Sequence, residues 1–263
     1  MTLLTTSDLL ARYAPLEGHH DELLDGPGVR PHWREVVGSL TDLGPHELAR
    51  RASALGRLLL DEGVGYNVTS GERSIPRAWT LDPVPEVVPA DEWAALEAGL
   101  AQRSELLDRV LADLYGPRRL LADGTIPAEV VYGHPGFLRA CDGIRLPGSH
   151  QLVHAAFDVG RDADGTWTLI SDRTQAPSGA GYARENRVAL SRVLPDVYRG
   201  LDVVRLGPFF LELRAALERV APPSADAPRI VVLTPGPRSE TAFEHGSLAS
   251  YLGYPLVQGS DLR

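Results

Sequence analysis

Apolar residues recur at helical spacing in several stretches of the chain. Trp33, Val36, Val37, Leu40 and Leu43 share one face, and after Pro45 a second helix is predicted with Leu48, Ala52, Leu55 and Leu59 on its stripe, ended by Gly63. The segment from Gly65 to Pro89, rich in Pro, Gly and Trp, reads as extended. A long helix is predicted from near Asp91, with Trp93, Leu96, Leu100, Leu107, Val110, Leu111 and Leu114 as its stripe, and Gly116-Pro117 stops it. Ahead of these helices, His19-His20-Asp21 and Asp25-Gly26-Pro27-Gly28 are turn signals in an ordered arm.

The period then changes to that of strands. His150 to Val159 and Thr166 to Asp172 flank Arg161-Asp162-Ala163-Asp164-Gly165, and Asp-Gly between two such runs predicts a hairpin. Two more helices are predicted at about 183–199 and 208–220, followed by a boundary at Ala221-Pro222-Pro223-Ser224-Ala225-Asp226. Beyond it, Arg229 to Leu233 reads as a continuous apolar strand, Ser239 to Leu252 as a helix closed by Gly253, and Tyr254 to Gln258 as another short strand. A strand, helix, strand unit opens a parallel sheet. The fold class is therefore α+β with an α/β portion: a mainly helical region over 1–120, a hairpin-containing region over 121–221, and the beginning of an α/β domain over 228–263.

At 263 residues with 43% apolar side chains, the chain can bury a substantial core. The N-terminus shows no basic region followed by an apolar run, and no apolar stretch reaches membrane-spanning length, so a cytoplasmic protein is expected. The net charge of −9 is spread along the chain, which argues against nucleic acid or an anionic membrane as partner. All 26 basic residues are arginine. Without lysine there is no Walker A loop, Schiff-base lysine or lysine general base. The single cysteine, Cys141, makes neither an internal disulfide nor a metal-ligand pattern.

The hairpin carries the most specific chemistry. With Asp164 and Gly165 as the two turn residues, Asp158 falls directly opposite Ser171, and Arg173 sits on the neighbouring diagonal of the same face. A three-residue loop would reverse those faces. His150 and His154 would share that face, but four residues along a strand span about 13 Å, too far for His150, His154 and Asp158 to hold one metal ion. The adjacent His19, His20 and Asp21 are equally unsuited to converge on an ion. The small residues of Thr174-Gln175-Ala176-Pro177-Ser178-Gly179-Ala180-Gly181 let backbone approach a ligand, and amides at the following helix start can meet an anion. Thr234-Pro235-Gly236-Pro237 is either a ligand-facing loop or a simple connection.

Several phrases together point to a family: Asp21-Glu22-Leu23, Val29-Arg30-Pro31-His32-Trp33, Gly65-Tyr66-Asn67-Val68, Leu81-Asp82-Pro83-Val84-Pro85, Gln102-Arg103, Asp113-Leu114-Tyr115-Gly116 and Pro135-Gly136-Phe137-Leu138. The most specific is Ser171-Asp172-Arg173-Thr174-Gln175-Ala176-Pro177-Ser178-Gly179, with Glu185-Asn186-Arg187 behind it. The chain resembles the circularly permuted type 2 ATP-grasp family. That resemblance implies ligation of a carboxylate to an amine through an acyl phosphate made from ATP, with Mg2+ at the phosphates. It implies metal ligation by Asp158 and Asp172, catalytic roles for Arg173 and Arg187, and cofactor binding by Ser178, Gly179 and Asn186. It also implies that this chain is an N-terminal portion, with the rest of the parent polypeptide supplying the second ATP-grasp half, so that the isolated chain lacks ATP turnover. Partners are then a nucleotide and a small-molecule or peptide substrate. Relatives carry Glu, Asp and Asn where this chain has Ser171, Asp172 and Arg173, and a hydroxyl and a guanidinium are poor magnesium ligands. Two readings stay open: a ligase with reduced magnesium dependence, or a non-catalytic binding or assembly module.

Overall fold

The computed structural model describes Leu10 and residues 13–71, 73–222 and 228–262. The predicted boundary at 221–226 lies outside the described residues beyond Pro222. The chain mixes helices with small sheets, each of two strands. No helix among the described residues is long and apolar enough to cross a membrane.

The arm begins with β1 (Leu24–Asp25) and β2 (Gly28–Val29), an antiparallel pair around Gly26-Pro27. Asp21 organises it: its Oδ1 accepts the N–H groups of Leu23 and Leu24 at 3.0 and 2.5 Å. The arm, expected to be without an element, thus contains a short sheet. α1 (Arg34–Asp61) follows and is broken at Gly44, whose φ of 71° no helical residue adopts, with Pro45 restarting the helix. That break makes two limbs, as the sequence pattern requires. β3 (Gly65–Ser70) and β4 (Arg73–Ala78) form a hairpin inside the segment read only as extended.

The core lies between both limbs of α1 and two later helices, α5 (Ala180–Val193) and α6 (Pro195–Gly200). Val36, Val37, Leu40, Leu55 and Leu59 from α1 pack with Tyr182, Ala189, Leu190, Leu194 and Val197. Burying such side chains stabilises each by about 1.5–3 kcal/mol relative to exposure, so this contact anchors the start of α5.

The long helix α2 (Ala90–Leu114) forms as predicted, but its apolar stripe is not sealed. Its one buried residue is Asp108, while Trp93 remains 45% exposed. The reason is geometric. Leu96 and Leu100 line one open groove of about 810 Å3 together with Val159, Trp167 and Leu169, and a two-stranded hairpin is too narrow to close it. Short helices α3 (Arg119–Ala122) and α4 (Ala128–Tyr132) lead to the hairpin strands, β5 (Ala156–Arg161) and β6 (Trp167–Arg173). The first strand is therefore shorter than the 150–159 expected, because Asp108 accepts the N–H groups of Gln151 and Leu152 and holds that segment against α2 instead.

α7 (Gly207–Val220) follows as predicted. At the end, β7 (Val232–Leu233) and β8 (Leu256–Val257) pair in parallel across α8 (Ala242–Leu252), and Gly253 closes the helix at φ 75°. The strand, helix, strand unit is present with strands shorter than expected.

Candidate functional site

The polar face of the β5–β6 hairpin places Asp158 directly opposite Ser171, with Arg173 opposite Ala156. Ser171 Oγ donates to Asp158 Oδ2 at 2.5 Å, and Arg173 Nη2 lies 3.0 Å from Asp158 Oδ1. Both carboxylate oxygens are thus engaged. Arg173 Nη1 also donates to the Ser178 carbonyl at 3.2 Å, bracing the guanidinium against the loop that follows the strand. Within that loop Ala176 has φ 42°, a costly conformation for a non-glycine residue, which marks the loop as tightly held.

The register arises differently from the two-residue turn that sequence suggests. Asp162 N donates to the Thr166 carbonyl, and Gly165, at φ 86°, donates to the Asp162 carbonyl, so the loop has three residues. By itself that reverses the faces. A β-bulge then restores them: Val159 pairs with Leu169 while Asp158 pairs with Ser171, leaving Ile170 as the extra residue.

Asp172 is not brought to Asp158. It lies opposite Phe157 on the other face, where Arg103 of α2 grips it with Nε and Nη2, each at 2.6 Å. This bidentate bond holds its carboxyl below the ordinary aspartate range, against partial burial. His150 and His154 do not join the face either. His150 Nδ1 lies 3.2 Å from Asp108, and His154 packs near Phe209 with ring centroids 6.0 Å apart. Burial pushes the His154 imidazole down, opposed by Glu244, so it is neutral at pH 7.

The helix start after the loop does meet an anion, and the anion belongs to the chain. Glu244 of α8, 1% exposed, accepts from Gly179 N at 2.7 Å and from Gly181 N at 2.8 Å through Oε1. Asn186 Oδ1 accepts from Trp79 Nε1 at 2.8 Å, and Trp79 stacks on Tyr182 with centroids 4.3 Å apart. Burial, with Glu244 and Glu240 nearby, pushes the Tyr182 hydroxyl up to about 12, so it stays protonated and donates to the Gly65 carbonyl. Arg187 reaches the Val204 carbonyl at 2.8 Å and the face of Tyr198, and its contacts run to these rather than to the hairpin. Sequence reasoning missed Glu244 and Trp79, and it met Arg103 only within the phrase Gln102-Arg103, without giving it a site role. Glu244 left a signal, a lone carboxylate on a short helix with Ala242, Phe243, Ala249 and Leu252.

The loop after β7 is clamped by the β3–β4 hairpin. The Asn67 side-chain amide donates to the carbonyls of Pro237 and Ser239 at 3.1 and 2.7 Å, and Ser74 Oγ donates to that of Arg238. A cleft of about 700 Å3 opens beside it, lined by Tyr66, Arg77, Thr234, Phe243 and Gln258 among others.

A family model described as circularly permuted ATP-grasp type 2 matches residues 85–263. The chain belongs to that family. An uncharacterized Mycobacterium tuberculosis protein is 44% identical over 252 residues, which cover 92% of this chain and 28% of that protein. A Synechocystis protein, also uncharacterized, is 33% identical over 244 residues, 92% of this chain and 51% of its own length. A Frankia alni protein named "Putative glutamate--cysteine ligase 2-3" is 39% identical over 254 residues, 95% of this chain and 29% of its own. The chain thus spans from 28% to 51% of these relatives.

ATP-grasp proteins generally bind ATP and Mg2+. On the hairpin face the residues do not fit a divalent ion: one carboxylate has both oxygens occupied, and a guanidinium stands 3.0 Å from it. Among the described residues no three His, Cys, Asp or Glu side chains converge on a common point. Of the residues expected to meet the cofactor, the Ser178 carbonyl, the Gly179 amide and the Asn186 side-chain oxygen are each hydrogen-bonded within the chain.

Proposed function

We propose that this ATP-grasp chain is part of an ATP-dependent carboxylate–amine ligase. In that chemistry a substrate carboxylate oxygen attacks the γ-phosphorus of ATP, and ADP leaves. The amine nitrogen then attacks the acyl carbon of the acyl phosphate, forming the amide and releasing phosphate and a proton. The observation that carries the reading is the family match over residues 85–263, with the Frankia alni ligase-named relative aligned along 95% of this chain in support. The roles foreseen for Arg173 and Arg187 as catalytic groups belong to this proposal, as do cytoplasmic residence and a small-molecule or peptide substrate. The metal ligation foreseen for Asp158 does not, because Ser171 and Arg173 engage both of its oxygens.

The test is the parent-length protein with ATP, a panel of carboxylic acids and hydroxylamine as trapping amine. A ligase releases ADP only when its carboxylate is present and yields the matching hydroxamate. ADP release independent of any acid is plain ATP hydrolysis and overturns both readings, whereas no ADP release by a folded protein with any acid of the panel points to the second reading. That reading is a binding or assembly module, favoured by the pairing of Asp158 with Arg173 and Ser171, which neutralises the hairpin's carboxylate.

A further inference from the structure

Arg173 is held at two points, by Asp158 Oδ1 at 3.0 Å and the Ser178 carbonyl at 3.2 Å, yet 43% of its side chain stays exposed. A guanidinium has five N–H donors in a rigid fork, so two contacts leave donors for a third partner. The fork matches paired oxygens of a phosphoryl or carboxylate group. Because the side chain is already braced, little rotamer freedom remains to be lost when a ligand arrives. A divalent ion meets the reverse situation. It requires several hard oxygen ligands and would meet a single engaged carboxylate, a hydroxyl and a fixed positive charge.

We infer that Arg173 is an oxyanion receptor that stands where a divalent ion would otherwise be recruited, so that the hairpin face takes a phosphoryl or carboxylate group directly on the guanidinium. The inference rests on the ATP-grasp reading only for the expectation that this face meets a ligand. Asp158 is a positioning residue: it aims the fork and, through its own charge, restrains the affinity. Ser171 fixes Asp158 from the other side.

The 263-residue chain, in buffer containing EDTA, is titrated with inorganic tripolyphosphate and separately with succinate, followed by calorimetry. The stronger of the two identifies the oxyanion. The expected result is binding without divalent metal, weakened at least tenfold by Arg173→Gln and tightened severalfold by Asp158→Asn, which keeps an acceptor for the guanidinium but removes the opposing charge. Mn2+ alone, without EDTA or anion, is expected to leave the amide signals of Asp158 and Ser171 unbroadened. Equal affinity in Arg173→Gln, weakening by Asp158→Asn, or selective broadening of those amides by Mn2+ overturns the inference. If Arg173→Gln does not fold, the Asp158→Asn and Mn2+ results still decide. Carboxylate-dependent ADP release by the parent protein, unaffected by Arg173→Gln, would overturn the receptor and leave the ligase reading standing. Arg173-dependent oxyanion binding by a parent that never releases ADP would do the opposite.

Discussion

Glu244 Oε1 lies 2.7 Å from the amide nitrogen of Gly179, and the same oxygen also accepts from Gly181. A carboxylate from α8 thus caps α5 across 65 residues of sequence, tying the strand, helix, strand unit to the loop behind the hairpin. Unpaired buried amides are costly, and a negative charge at a helix N-terminus is favourable.

Replacing Glu244 with Ala is therefore expected to destabilise the chain by about 2–3 kcal/mol, and Glu244→Gln, which keeps an acceptor oxygen, by about 1 kcal/mol. Urea midpoints at constant slope measure both. A loss below about 0.5 kcal/mol for the alanine variant would show that water replaces the cap.

Asp108 gives a pH signature. Its burial favours the neutral acid, but bonds from the Leu152 and Gln151 amides and from His150 outweigh that and hold the carboxyl below its ordinary range. The folded-state pKa is depressed, so the contribution is present above the unfolded-state value and is lost as pH falls through the folded one. Comparing urea midpoints at about pH 5 and about pH 3 should show a smaller acid loss in Asp108→Asn than in the unaltered chain. Equal losses would exclude Asp108 as a source of acid sensitivity.

The Asn186 acceptor on Trp79 predicts that Asn186→Ala costs about 1–2 kcal/mol by leaving the part-buried indole N–H without its partner. Asn186→Asp preserves the oxygen and should cost less. The indole proton resonance of Trp79 reports the bond directly: it should shift in the alanine variant and stay nearly in place in the aspartate one.

The Arg103 to Asp172 pair joins α2 to the hairpin beside an open groove. Arg103→Ala should speed hydrogen exchange of the β6 amides, and raising salt should do the same to the unaltered chain because the pair is partly exposed. Exchange insensitive to both would assign hairpin docking to apolar contact alone.

The longer helices were legible from a periodic apolar face and a Gly or Pro stop. The short α3 and α4 left no such signal, and the single helix expected at about 183–199 is divided at Leu194 into α5 and α6. The break at Gly44, the end at Gly253 and the long α2 all follow from such local signals. Strand lengths were not, since Asp108 diverts 151–152 through bonds invisible to periodicity. The opposition of Asp158 and Ser171 was anticipated, although through a two-residue turn rather than the three-residue loop and bulge that produce it. Glu244 on Gly179 and Trp79 on Asn186 are pairings across 65 and 107 positions, which no local pattern encodes.

The Ile170 bulge gives the hairpin a parity rule. An odd loop and one supernumerary strand residue cancel, so insertion or deletion of a single residue in the turn is tolerable only if the bulge is lost or a second one appears. Natural variation in loop length here should therefore come in coupled steps, and a protein engineer who shortens the turn must excise a residue from β6 as well.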